Sequence, residues 1–150
     1  MPNTILVVDD HDVVRQALSR WLETVFQDCL ILTAATGEQA LNIVRDTLPQ
    51  IVVLDFGLPG INGAEATRRI KAISPAVQVV VLTIHNSTAY RTDAARAGAS
   101  AYVLKEDMQA QLVPTLKMLL ADCGSGGGPP GGGRGLYLVA KGNRCACSGL

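Results

Sequence analysis

The chain has 150 residues, 48% of them apolar, with 13 basic and 13 acidic side chains. That length fits one domain with its own core, and the zero net charge excludes the overall basic field of a nucleic-acid-binding chain. No apolar run approaches the roughly 20 residues needed to span a bilayer, and Met1-Pro2-Asn3-Thr4 does not lead into a signal peptide, so the cytoplasm is the expected compartment.

Ile5-Leu6-Val7-Val8 reads as a first strand, and Val14, Leu18, Leu22 and Val25 then recur at helical spacing. Leu30-Ile31-Leu32 is a second strand. Glu38 to Thr47 is a second helix with Ala40, Leu41 and Val44 inward, and Pro49 follows its end. Ile51-Val52-Val53-Leu54 is a third strand, and Ala64 to Ile73 a third helix burying Ala66, Ile70 and Ile73. Val79-Val80-Val81-Leu82 is followed by a weaker helix, Thr88 to Ala97, with Gly98 placed to end it. Ala101-Tyr102-Val103-Leu104 precedes a fifth helix, Met108 to Ala121. Pro114 is awkward inside that helix, which must either start later or bend. Short continuous apolar runs of this kind fit parallel strands covered on both faces.

Five alternating units predict an α/β, flavodoxin-like doubly wound parallel sheet, (βα)5, with strand order 2-1-3-4-5. It occupies residues 1–123, which carry ten Lys/Arg against thirteen Asp/Glu. Residues 124–150 differ abruptly: ten of the 27 are Gly, and the charges are Arg134, Lys141 and Arg144. They read as a flexible linker or tail, with at most one short strand at Leu136-Tyr137-Leu138-Val139. Cys29, Cys123, Cys145 and Cys147 match no zinc or CxxC spacing and read as ordinary thiols.

In such a sheet, ligands bind beyond the carboxyl ends of the strands, near the switch point between strands one and three. Asp9 and Asp10 follow strand one, Asp55 follows strand three, Thr83 strand four and Lys105 strand five. Converging carboxylates repel unless a cation sits among them, and Mg²⁺ with oxygen ligands meets that need. A carboxylate nucleophile, a metal, a lysine and a hydroxyl together suit phosphoryl transfer onto Asp55. Taken singly, each residue has a structural role open to it. Asp9, Asp10 or Asp12 could cap the first helix, Thr83 could serve a turn, and Lys105 could be a solvated lysine.

The segments ILVVDDHDVVRQAL, ATGEQAL, IVVLDFGLPGINGAEATRRI, VVVLTIH and AARAGASAYVLKED, in this order, resemble receiver domains of two-component response regulators, especially the NarL/FixJ (LuxR-type) branch. The resemblance covers roughly residues 4–121. It implies that Asp55 accepts phosphate from a sensor histidine kinase. It implies Mg²⁺, with Mn²⁺ as a substitute, on Asp10, Asp55 and the Gly57 backbone carbonyl, with Asp9 near or through water. It further implies that Lys105 pairs with the phosphoryl group, that Thr83 hydrogen-bonds it, and that Tyr102 is a rotamer switch following Thr83. Tyr102 could instead simply pack on the sheet. His11 reads as a loop residue at the start of the first helix, not a phosphate carrier.

Two departures stand out. Ile84 replaces the small residue usual after Thr83 and narrows access to Asp55. Glu106 replaces a common proline after the lysine, so no cis bond is expected there. The expected output is a change in the surface of the fourth helix, fifth strand and fifth helix, or of the first and fifth helices, with a possible homodimer on phosphorylation. This chain has no recognition helix, so DNA contact is expected through an output domain outside it. A stand-alone receiver working by protein contact or as a phosphorelay intermediate is the alternative. An aspartyl phosphatase would place DxDxT/V after strand one, and a flavin binder would not place paired acids there.

Overall fold

The computed structural model describes residues 3–124, the last three by backbone alone. The elements in chain order are β1 (Thr4–Val8), α1 (Asp12–Val25), β2 (Leu30–Ala34), α2 (Gly37–Thr47), β3 (Ile51–Asp55), α3 (Gly63–Ile73), β4 (Gln78–Thr83), α4 (Thr88–Ala97), β5 (Ala101–Leu104) and α5 (Met108–Gly124). A 3-10 turn over Lys105–Asp107 joins β5 to α5. The five strands are parallel, in the order β2-β1-β3-β4-β5. The expected α/β architecture and strand order are therefore observed.

The period-two alternation of each strand assigns its side chains to two faces. Ile5, Val7, Ile51, Val53, Val80, Leu82 and Val103 pack with Leu18 and Leu22 of α1 and Leu112, Leu116 and Leu119 of α5. On the opposite face, Leu6, Val8, Val52 and Leu54 pack with Ala40, Leu41 and Val44 of α2 and Ala66 and Ile70 of α3. Val81, Tyr102 and Leu104 meet Ala94 of α4 on that same side. Thr36, Asn62 and Ser87 cap α2, α3 and α4, each accepting a backbone N–H three residues on.

Several boundaries and burials differ from the sequence expectation. In the edge strand β2, Leu30 and Thr33 are exposed, so it is not covered on both faces, whereas the other edge strand, β5, is buried throughout. Ile73, expected buried, is only partly so, because it ends α3 at the rim of its cluster. The α5 helix starts at Met108 and continues through Pro114, so it does not begin after the proline; Leu112 and Leu116, both fully buried, hold that segment to the core. Gly124, expected to begin the linker, still belongs to α5. Gly98 ends α4 at φ 106°, a conformation in which a side chain would be strained. Cys29 is a free thiol. The expected strand at 136–139 and the remainder of the Gly-rich segment lie outside the described residues, as do the side chains of the other three cysteines.

Candidate functional site: an acidic pocket at the strand ends

Register and parity bring the polar residues together. Val8 pairs with Leu54 and Asp55 with Leu82, so Asp9 and Asp55 emerge at one level on neighbouring strands. Thr83 pairs with Leu104, which puts Lys105 one step beyond. Asp9, Asp55 and Lys105 share the parity of Val7, Val53 and Val103 and leave the sheet toward the α1 and α5 side. Thr83 shares the parity of Val81, which places it on the α4 side with Tyr102.

Three strand ends finish in the same way. Asp9 Oδ1 accepts the N–H of His11 at 2.9 Å, Asp55 Oδ1 that of Gly57 at 3.0 Å, and Thr83 Oγ1 that of His85 at 3.1 Å. Each short polar side chain bonds the backbone two residues on and stops the strand there. The turn role open to Thr83 is thus real. The expected capping role of the acids is not: the cap position of α1 is His11, whose side chain makes no capping bond. Asp12 instead lies in the first turn, paired with Arg15 at 2.6 Å.

The charges are arranged around Lys105. Its Nζ lies 3.2 Å from Asp9 Oδ2 and 3.4 Å from Asp55 Oδ2. Burial pushes its pKa down, but the Asp55 and Asp9 carboxylates outweigh burial and the net shift is upward. The ammonium therefore stays charged, and Lys105 is not a solvated surface residue. The Asp9 side chain is only 2% exposed, whereas that of Asp10 is 32% exposed and its Oδ1 is buried with no hydrogen-bond partner. One donor atom from each of Asp9, Asp10, His11 and Asp55 falls within 4.8 Å of the others. Two of the three carboxylates contact the one ammonium, and the third, Asp10, keeps a buried oxygen without a hydrogen-bond partner. This donor set fits a hard divalent cation.

The sequence reading missed Arg15, which lay off the apolar stripe of α1. Its guanidinium donates to the Asp9 carbonyl at 2.8 Å and so ties the end of β1 to the helix. The Asp12–Arg15 spacing of three residues was the available signal. It also missed an aromatic cluster beside Thr83. Tyr90 of α4 stacks on His85, with ring centroids 4.5 Å apart, and meets Phe56 edge-on at 6.0 Å. Tyr102 is buried, its hydroxyl donates to the His85 carbonyl at 2.7 Å, and the Arg91 guanidinium lies 5.1 Å from its ring centre. Burial raises the Tyr102 pKa despite the opposing pull of Arg91. Ile84, next after Thr83 at the end of β4, is 73% exposed. No peptide bond among the described residues is cis, and no helix among them is long and apolar enough to cross a membrane.

Known proteins carry the same organisation. Residues 5–117 match the response regulator receiver domain family. The response regulator GacA of Pseudomonas viridiflava is 34% identical over 117 residues, 78% of this chain and 55% of GacA. The transcriptional regulatory protein DegU of Brevibacillus brevis is 33% identical over 115 residues, 77% of this chain and 49% of DegU. The chain thus spans about half the length of these relatives. A crystal structure of a LuxR-family two-component response regulator from Aurantimonas sp. matches with a TM-score of 0.75 at 37% identity, covering 81% of this chain and 87% of that one. Sheet order, strand-end chemistry and sequence agree: the chain belongs to the response regulator receiver domain family, in its NarL/FixJ (LuxR-type) branch.

Proposed function

We propose that this domain takes a phosphoryl group from the phosphohistidine of a sensor histidine kinase onto Asp55 and signals through the resulting change of surface. One observation carries the reading. The Asp55 carboxylate contacts the Lys105 ammonium and belongs to an acidic cluster in which a buried Asp10 oxygen has no hydrogen-bond partner. A carboxylate oxygen of Asp55 forms the new O–P bond while the N–P bond of phosphohistidine breaks, and the kinase imidazole recovers a proton. The N–H of Gly57 holds the orientation of the attacking carboxylate. Lys105 moves its charge from the two aspartates to a phosphoryl oxygen.

Asp10, Asp55 and the Gly57 carbonyl would hold Mg²⁺, or Mn²⁺ in its place, with Asp9 near or through water. When bound, the ion neutralises charge on the phosphoryl oxygens. The pocket in this way assists both its own phosphorylation and its own dephosphorylation. Thr83 exchanges its bond to the His85 N–H for one to the phosphoryl group. Tyr102, bonded to the His85 carbonyl, carries that change to α4. The altered surface is α4–β5–α5 or α1–α5, where a homodimer can form.

Residues 1–123 are read as the receiver and 124–150 as its linker. Output is transcriptional, through a DNA-binding domain outside this chain, in the cytoplasm; the transcriptional part is supported by the name of the longer relative DegU, a transcriptional regulatory protein. Incubation with acetyl phosphate and Mg²⁺ followed by intact mass tests the assignment. One phosphate-sized gain is expected, absent in Asp55→Asn; no gain, or an equal gain in the variant, overturns it.

A further inference from the structure

We infer that His11 is a nitrogen ligand of the cation held by the acidic pocket, and that it shifts the pocket's preference from Mg²⁺ toward divalent ions that accept imidazole, such as Mn²⁺, Co²⁺ and Zn²⁺. The inference rests on the reading of this cluster as a cation site.

Its first support is the direction of the ring. The His11 side chain is 68% exposed, yet Nδ1 lies 3.3 Å from Asp9 Oδ1 and 3.4 Å from Asp10 Oδ1. One edge of the ring faces the acids and the rest lies in water. Nδ1 is in hydrogen-bond contact with Asp9 Oδ1, so the ring already presents to the acids the nitrogen an ion would take, and it makes no bond that caps α1. The second support is the buried Asp10 Oδ1, which has no hydrogen-bond partner and lies beside the same nitrogen. The third is spacing. Adjacent donors of an octahedral ion with ligands at about 2.1 Å stand ~3 Å apart, and opposite donors ~4.2 Å. The separations of 3.3 and 3.4 Å, and the 4.8 Å limit over all four donors, are close to those values.

The backbone makes the arrangement available. The Asp9 carboxylate accepts the His11 N–H, so the turn that ends β1 also swings residue 11 back over the pocket. Imidazole favours first-row transition ions, whereas Mg²⁺ prefers carboxylate and water. His11 therefore adds affinity for the former by replacing one of their waters and adds little for Mg²⁺. If His11 were only an ion-pair partner of the acids, its removal would alter all divalent ions alike.

The test uses the full 150-residue chain, stripped of metal and titrated with Mn²⁺ under electron paramagnetic resonance, with Mg²⁺ affinity read by competition. Pulsed measurements on bound Mn²⁺ should show ¹⁴N coupling that disappears in His11→Ala. Loss of an outer-shell partner already weakens metal binding by about tenfold, so Mn²⁺ affinity should fall by at least about that factor in the variant, with Mg²⁺ affinity within about twofold. Bound Mn²⁺ without nitrogen coupling overturns the inference. So does coupling that survives in His11→Ala, since His85 is the chain's other histidine, and so does an equal change for both ions. Phosphate gain with Mg²⁺ is measured on the same samples. Wild type that takes phosphate but shows no nitrogen coupling sinks this inference alone; wild type that binds no ion and takes no phosphate sinks the receiver reading with it.

Discussion

Asp55→Asn should stabilise the metal-free domain. Asp55 shares a pocket with Asp9 and Asp10, with donor atoms within 4.8 Å. At that separation and an effective dielectric constant of about 20, each carboxylate pair repels by at least about 3.5 kcal/mol. Against this stands one attraction, to Lys105 at 3.4 Å, of about 5 kcal/mol on the same scale. Removing the charge relieves two repulsions and forfeits one attraction, leaving about 2 kcal/mol in favour of the variant. The asparagine carbonyl can still accept the Gly57 N–H, so the turn survives. Urea unfolding in EDTA should show a higher midpoint with an unchanged slope, and the melting temperature should rise by on the order of 5–10 °C. Added Mg²⁺ should stabilise wild type more than the variant, narrowing or reversing the gap. A variant equal to or less stable than wild type in EDTA would refute the claim that the pocket holds excess negative charge.

Three further outcomes are expected. A Cβ at Gly63 would lie 2.5 Å from Phe56 Cα and 2.9 Å from its carbonyl oxygen, neither of which can rotate away. Gly63→Ala should therefore destabilise by about 1–3 kcal/mol, and an unchanged urea midpoint would contradict that contact. Burial raises the Tyr102 pKa, so between the ordinary phenol pKa and the raised one the fold keeps a proton that the unfolded chain loses, and stability falls as pH rises through that window. The late component of the tyrosinate absorbance titration should vanish in Tyr102→Phe; its persistence would assign it elsewhere. Ile84→Ala, at an exposed position, should alter stability by no more than about 0.5 kcal/mol while speeding phosphoryl gain from acetyl phosphate, phosphoryl loss, or both, and no change in either rate would discount Ile84 as a gate.

The apolar runs at 5–8, 51–54, 79–82 and 101–104 made four fully buried strands legible, because a residue buried on either face of a parallel sheet must be apolar at every position. The β2 strand was harder. Leu30 and Leu32 read like a strand covered on both faces, although Leu30 is exposed and Leu32 only partly buried. The fifth helix shows the limit of local propensity: Pro114 argued for a later start or a bend, and burial of Leu112 and Leu116 kept the segment helical from Met108.

What the amino-acid order determined by itself was the alternation of elements, and with it the rule that chemistry collects where apolar strands end in Asp, Thr and Lys. Tertiary structure decided which atoms meet. Contacts such as Lys105 to Asp9, 96 residues apart, depend on strand register, and the stacking of His85 on Tyr90 depends on how α4 lies against β4 and β5. The side on which the His11 ring falls depends on one carboxylate turning back to a backbone N–H. Burial and periodicity are averages over a segment and can be read along the chain. A distance of 3 Å between side chains belongs to the packed fold, because it depends on every dihedral angle between them.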